Sequence, residues 1–404
     1  MAQLVQIEQI DAARRRLDGV VEATPVQSSR AVSAAVGARV LLKCEHLQRT
    51  GSFKLRGAYH RISTLSPAER ARGVVCASAG NHAQGVALSA RLLDVEATVF
   101  MPAGAPLPKI AATRGYGARI ELVDGGVGEA LEAASAHARA HGSVFVHPFE
   151  HPDVIAGQGT LGLDVVDEVE DVGTVVVPIG GGGLMSGVAA AVRARRNGVR
   201  IVGVQSEKAA AVPASLAAGE PVTVDVGDTI ADGIAVSCPG ELTLAHISAL
   251  VDEVVTVDDA TIARAVLLLA ERAKQVVEPS GAAGLAALLA GVVAPPLPEP
   301  VVVLLCGGNV DPLLLARIIQ SGLVLEGRYL ALRTRVQDRP GALWGVLDLI
   351  AGCGANVVGV EHHRLTPKLG LMEVELEVAL ETRGADHSDE VVAGLRDAGY
   401  AVER

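Results

Sequence analysis

A series of short apolar runs rich in β-branched residues, separated by helical patterns, constrains this chain's fold more than any other feature. The runs are ARVLLKCEHL (38–47), GVVCASAG (73–80), ATVFMP (97–102), ARIELVD (118–124), SVFVHP (143–148), TVVVPI (174–179), RIVGVQS (200–206) and PVVVLLC (300–306). Strands that are apolar on both faces must be covered on both faces, and intervening helices do this. The alternation therefore predicts an α/β fold with open, mainly parallel sheets in layers. At 404 residues the chain is too long for one ordinary core. Half its residues are hydrophobic but only 2% are aromatic, so Val, Leu, Ile and Ala must fill the interior.

The pattern changes after about residue 322. RYLALRTRVQD reads as a strand, Pro340-Gly341 opens a helix running through Ile350, and ANVVGVEHHRL and GLMEVELEVAL read as two further strands. HSDEVVAGLRDAGY is a helix, and four residues remain as a strand stub. That order is the ferredoxin-like split βαβ. The proline-rich GVVAPPLPEP (291–300) reads as a loop inside the first part.

A net charge of −11 argues against sequence-independent binding to nucleic acid or anionic membranes. The N-terminal MAQLVQIEQIDAARRRLDGV is polar and helical in pattern, without a signal-peptide core, and no run is long and apolar enough to span a membrane. The expectation is a cytoplasmic protein. Cys44, Cys76, Cys238, Cys306 and Cys353 show no paired spacing and read as reduced thiols. His147 and His151 flank Pro148 and Pro152 in a segment that suits a loop better than a metal site, and no metal is expected.

Four segments carry the chemistry. Ser52-Phe53-Lys54-Leu55-Arg56-Gly57-Ala58 follows a strand and a polar turn; Phe53 offers an apolar wall and Arg56 a neighbouring positive charge, both of which favour a neutral lysine amine. Ser78-Ala79-Gly80-Asn81-His82-Ala83-Gln84-Gly85 turns from a strand into a helix, with small residues that let backbone N–H groups approach an anion. Gly180-Gly181-Gly182-Gly183-Leu184 stands between a strand and a helix, where four glycines suit a phosphate nest. No Gly-Lys-Ser/Thr follows it, so it is not a P-loop. Cys306-Gly307-Gly308-Asn309 ends a strand, the place where open α/β sheets bind ligands.

Taken together, in this order and at these separations, the four segments resemble the threonine/serine dehydratases of the fold type II (tryptophan-synthase-β-like) pyridoxal-phosphate (PLP) enzymes. The match spans roughly residues 5–322. It implies a two-lobed catalytic domain over 1–322, with a smaller lobe inserted at about 48–150. A linker would follow at 323–329. The unit 330–404 resembles an ACT-type regulatory domain, on the cues Asp338-Arg339-Pro340-Gly341 and Glu381-Thr382-Arg383-Gly384.

The resemblance implies that Lys54 holds PLP covalently and, once freed, removes the substrate Cα proton. It places Phe53 beside the cofactor ring, Asn81 on its phenolic oxygen, and Gly180, Gly181, Gly182, Gly183 and Leu184 around its phosphate. Ser78, Gly80, Asn81 and His82 would hold the substrate carboxylate. Glu278 would face the site. Cys306 would meet the pyridine nitrogen, where a neutral thiol bonds without forcing protonation. Threonine would yield 2-oxobutyrate, and serine pyruvate, each with ammonia.

The alternatives are a serine racemase or other PLP lyase of the same fold, a β-replacement synthase, a nicotinamide-dependent dehydrogenase, and a non-catalytic amino-acid sensor. In racemases a serine stands where this chain has Ala79, and a methyl group delivers no proton. Relatives with a divalent-metal site carry carboxylates where this chain has Gln205 and Ala211. The loop Gly80-Asn81-His82 differs from the asparagine loop of the synthases, and the glycine tetrad is not GxGxxG. For the C-terminal unit the resemblance implies pairing, in a homodimer or homotetramer. It also implies an amino-acid or nucleotide effector near Asp338 and Gly341, isoleucine or valine first.

Overall fold

The computed structural model describes residues 3–364 and 369–404. The first two residues of the polar N-terminal stretch, and Leu365 at the end of one expected strand, lie outside the described residues. The chain divides into two compact units, Met1–Leu315 and Ala316–Arg404.

The first unit holds strands β1 (Val26–Ser28), β2 (Val40–Lys43), β3 (Val74–Ala77), β4 (Ala97–Pro102), β5 (Arg119–Val123), β6 (Val144–Phe145), β7 (Thr174–Pro178), β8 (Arg200–Ser206), β9 (Glu253–Val257) and β10 (Val301–Leu304). They form two sheets. The larger runs β1-β2-β10-β7-β8-β9 and the smaller β5-β4-β3-β6. Every pairing is parallel except β1 with β2. Central strands β7 and β10 are buried along their whole length, as continuous Val runs demand.

Two helices cover one face of the larger sheet. Pro152–Glu168 is buried on nearly every side, and Gly183–Arg195 crosses it closely. The crossing works because Gly187 lacks a side chain: a Cβ there would lie 2.3 Å from the Ile155 carbonyl oxygen. Burying Leu161, Leu163 and Val188, each at 0% exposure, contributes roughly 1.5–3 kcal/mol per side chain.

The second unit carries β11 (Tyr329–Gln337), β12 (Asn356–His363), β13 (Glu373–Glu381) and β14 (Val402–Glu403) in an antiparallel sheet ordered β12-β13-β11-β14. Helices Ala342–Gly352 and Ala385–Asp397 complete the expected βαββαβ order. Strict alternation along β11 buries Leu330, Leu332, Thr334 and Val336 and leaves Ala331, Arg333, Arg335 and Gln337 in water. Among the described residues no helix is long and apolar enough to cross a membrane.

Candidate active site

Lys54 opens the helix Lys54–Ser63, and the residues ahead of it are sewn to the end of β10. Ser52 pairs with Gly307, the Phe53 N–H donates to the Cys306 carbonyl at 3.2 Å, and the Gly308 N–H donates to the Gly51 carbonyl at 2.9 Å. The lysine motif and the Cys-Gly-Gly-Asn strand end, far apart in sequence, thus form one wall. The Lys54 amine lies 5.2 Å from the centre of the Phe53 ring and donates to the Pro148 carbonyl at 3.0 Å. Burial lowers its pKa to about 8, with Cys306 and Glu278 pulling the other way.

Arg56 corrects the sequence reading. It supplies no free positive charge beside Lys54. Its guanidinium is bound by Glu45 at 2.7 Å and Asp164 at 2.8 Å, and donates to Thr160. Arg56 and Glu45 are both fully enclosed, and their pairing pins the first turn of the lysine's helix. Desolvation, rather than a neighbouring cation, is what depresses the Lys54 pKa.

Across the site, the Asn81 amide donates to Glu278 Oε1 at 2.7 Å and its oxygen accepts from Asn309 Nδ2 at 2.8 Å. Asn309 donates in turn to the Thr50 carbonyl at 2.7 Å. Burial raises the Glu278 pKa to about 7, assisted by Asp232 and opposed by the Asn81 hydrogen bond. Burial also pushes the Cys306 thiol far up, so it stays protonated and neutral.

Ser78 and Gly80 lie on the turn between β3 and the helix Asn81–Leu92, and His82 lies in that helix's first turn. The Ser78 hydroxyl accepts the Gly80 N–H at 3.1 Å, and Gly80 faces open space. The His82 ring turns inward to the Val146 carbonyl at 2.8 Å. Burial, and then Lys54, lower its pKa to about 3, so it is neutral. What this loop offers outward is backbone N–H groups at a helix start.

The glycine tetrad lies between β7 and the helix Gly183–Arg195. Gly182 has φ +95°, which favours glycine, and a Cβ on Gly181 would lie 2.3 Å from the Phe149 ring. The fully buried Gln205 amide donates to the Ile179 and Gly180 carbonyls at 3.3 and 3.4 Å and accepts the Val212 N–H at 2.8 Å. Leu184 packs into the core with Phe53 and Cys306. Asn309, Pro148 and Phe149 are site residues that sequence reasoning assigned no role. Asn309 stood within a quoted strand end, and Pro148 within a segment read as a loop, so only the fold reveals their contacts.

The chain matches the family described as pyridoxal-phosphate dependent enzyme over residues 17–307. It is 45% identical to the L-threonine ammonia-lyase of Thermotoga maritima, over 99% of both chains. It is 41% identical to the catabolic L-threonine dehydratase of Escherichia coli K12, over 78% of this chain and 95% of that one. Among solved structures it resembles the processed form of threonine deaminase isoform 2 from Solanum lycopersicum, with TM-score 0.72 and 32% identity over 79% and 96% of the two chains. It also resembles maize serine racemase, with TM-score 0.75 and 36% identity over 80% and 100%.

The residues fit the cofactor. A nest whose space a single Cβ would fill suits a phosphate, a partly buried amine of lowered pKa suits an aldehyde, and a neutral thiol suits a ring nitrogen. The chain therefore belongs to the pyridoxal-phosphate-dependent enzyme family.

Proposed function

We propose that this protein is a threonine ammonia-lyase that converts L-threonine to 2-oxobutyrate and ammonia, and L-serine to pyruvate and ammonia. The observation that carries the residue assignment is the partly buried Lys54 amine, of lowered pKa, between the Phe53 ring and the Pro148 carbonyl on the wall that carries Cys306. Lys54 holds the cofactor and later takes the substrate Cα proton. PLP, when bound, supplies an electron sink for the charge left on Cα. The first turn of Gly183–Arg195 and the glycines before it bind the phosphate, and Asn81, fixed by Glu278 and Asn309, meets the ring's phenolic oxygen. The N–H groups around Ser78–His82 take the substrate carboxylate. Cys306, uncharged, bonds the ring nitrogen without delivering a proton, which favours prompt loss of the β-hydroxyl over longer-lived side reactions.

Racemisation is the competing activity of this fold. It needs an acid on the opposite face of the substrate, and the methyl group of Ala79 supplies none. Incubation with L-threonine and L-serine, following 2-oxo acid and D-serine, tests the assignment. 2-Oxo acid as the main product, lost in Lys54→Ala, supports it; D-serine as the main product overturns it.

The functional division we propose is catalytic 1–322, linker 323–329 and ACT-type regulatory 330–404, in a cytoplasmic homo-oligomer. An amino-acid effector would dock at the turn carrying Asp338 and Gly341. Asp338 is paired with Arg364 at 3.0 Å, and Gly341 caps the helix Ala342–Gly352 with φ +86°. Dehydratase kinetics with isoleucine and valine test this; unchanged rates with both, and with nucleotides, would remove it.

A further inference from the structure

The segment His147-Pro148-Phe149-Glu150 lies outside every motif used above, yet its two middle residues touch two different parts of the site and its two ends anchor them. Pro148 gives its carbonyl to the Lys54 amine at 3.0 Å. Phe149 fills the space that side chains on Gly181 and Gly183 would occupy, its nearest atoms lying 2.3 and 2.8 Å from where their Cβ atoms would be. The Glu150 carboxylate accepts the Leu242 and Thr243 N–H groups at 2.6 and 3.2 Å, at the start of the helix Glu241–Leu250. His147 closes the loop on itself: Nδ1 accepts the Phe149 N–H at 3.3 Å and the Glu150 N–H at 2.8 Å. Its ring also lies edge-on to Phe149, with centroids 4.6 Å apart.

We propose that His147 is a positioning residue, whose neutral imidazole folds this strap so that one short segment sets both the Lys54 amine and the floor of the phosphate nest. This rests on the reading of Lys54 as the cofactor-bearing lysine. The argument is one of donors and acceptors. Nδ1 can accept two N–H groups only while it carries no proton, so the ring's one hydrogen sits on Nε2. Burial, then Lys54 and His151, lower the His147 pKa to about 4, so the acceptor persists at neutral pH. The titratable groups facing it are Lys54, His82 and His151. Without the acceptor, two backbone N–H groups lose their partner, and the Pro148 carbonyl, which shares its peptide plane with the Phe149 N–H, loses its fixed direction.

The test uses the apoprotein of three forms: wild type, His147→Leu, which keeps bulk but no acceptor, and His147→Asn, which restores an acceptor of the kind that bonds N–H groups two and three residues on. The readouts are the Kd for PLP by absorbance titration and the pH dependence of borohydride-trapped Lys54, each beside the unfolding midpoint of the apoprotein. The expected result is a Kd raised about tenfold in H147L, as two modest hydrogen bonds predict, and restored to within about threefold in H147N. The pH profile of trapping should shift in H147L and return in H147N. A midpoint lowered in H147L with wild-type Kd and pH profile would make the residue merely structural and overturn the proposal. So would equal losses in both variants. If H147L does not fold, H147N decides: a tenfold loss there contradicts the proposal, and retention within threefold supports it. A wild type that shows no tag on Lys54 defeats the underlying reading instead, whatever the variants do.

Discussion

Asn81 and Glu278, 197 residues apart in sequence, share a 2.7 Å hydrogen bond in which the amide donates to a buried carboxyl group. The bond ties the first residue of the helix Asn81–Leu92 to the start of the helix Pro279–Ala290 and fixes which way the Asn81 amide points.

Glu278 makes the apoprotein's stability fall with pH over a definite window. Its folded pKa is about 7 against an ordinary 4.5, so between these values the native state holds more protons than the unfolded one. The cost is absent below about pH 4.5, grows as pH rises to about 7 and is fully present above that. Glu278→Gln should therefore raise the apoprotein's Tm over wild type at pH 8, with the gain vanishing near pH 4. An equal offset at both pH values contradicts the assignment.

The glycine tetrad should not tolerate even one carbon. Gly181→Ala places a Cβ 2.3 Å from the Phe149 ring, which costs about 1–3 kcal/mol in overpacking and displaces the floor of the nest. Urea unfolding measures the first effect, and a Kd for PLP raised at least about tenfold the second. Gly115→Ala, on a helix end with open space around it, is the control: it should leave the Kd unchanged and cost no stability, since alanine there favours the helix.

Arg56 should behave as half of a buried pair. Arg56→Ala leaves Glu45 charged and enclosed without a counter-charge, which costs about 3–5 kcal/mol in urea unfolding. A loss below about 1 kcal/mol would mean that Asp164 and Glu45 find other partners.

Much of this was legible in sequence. The Val-rich strands β7, β8 and β10 and the βαββαβ unit announced themselves, because burial on both faces or strict alternation leaves few other solutions. Strands β1 and β9 did not. The first has three residues, and the second is a half-buried edge strand with Glu253 at its start. The segments that build the site could be read as motifs, but not how they meet. The Ser52–Gly307 bridge and the Asn81–Glu278 bond are products of tertiary folding, which no local pattern encodes. Arg56 was misread for the same reason, since its two carboxylate partners come from residues 45 and 164.

Cys306 should matter as a neutral group. Cys306→Ser keeps a small uncharged partner and should retain threonine deamination within about threefold, whereas Cys306→Asp, which carries a charge to the ring nitrogen, should lose most of it. Steady-state 2-oxobutyrate formation distinguishes the two, and equal activity in both contradicts the role.

The most direct measurement is the site of covalent attachment. PLP-loaded protein is reduced with borohydride, digested and mapped by mass spectrometry. A pyridoxyl mass on the peptide containing Lys54, absent in Lys54→Ala, is the predicted result. A tag on another lysine, or none on a protein that still deaminates threonine, would contradict the account.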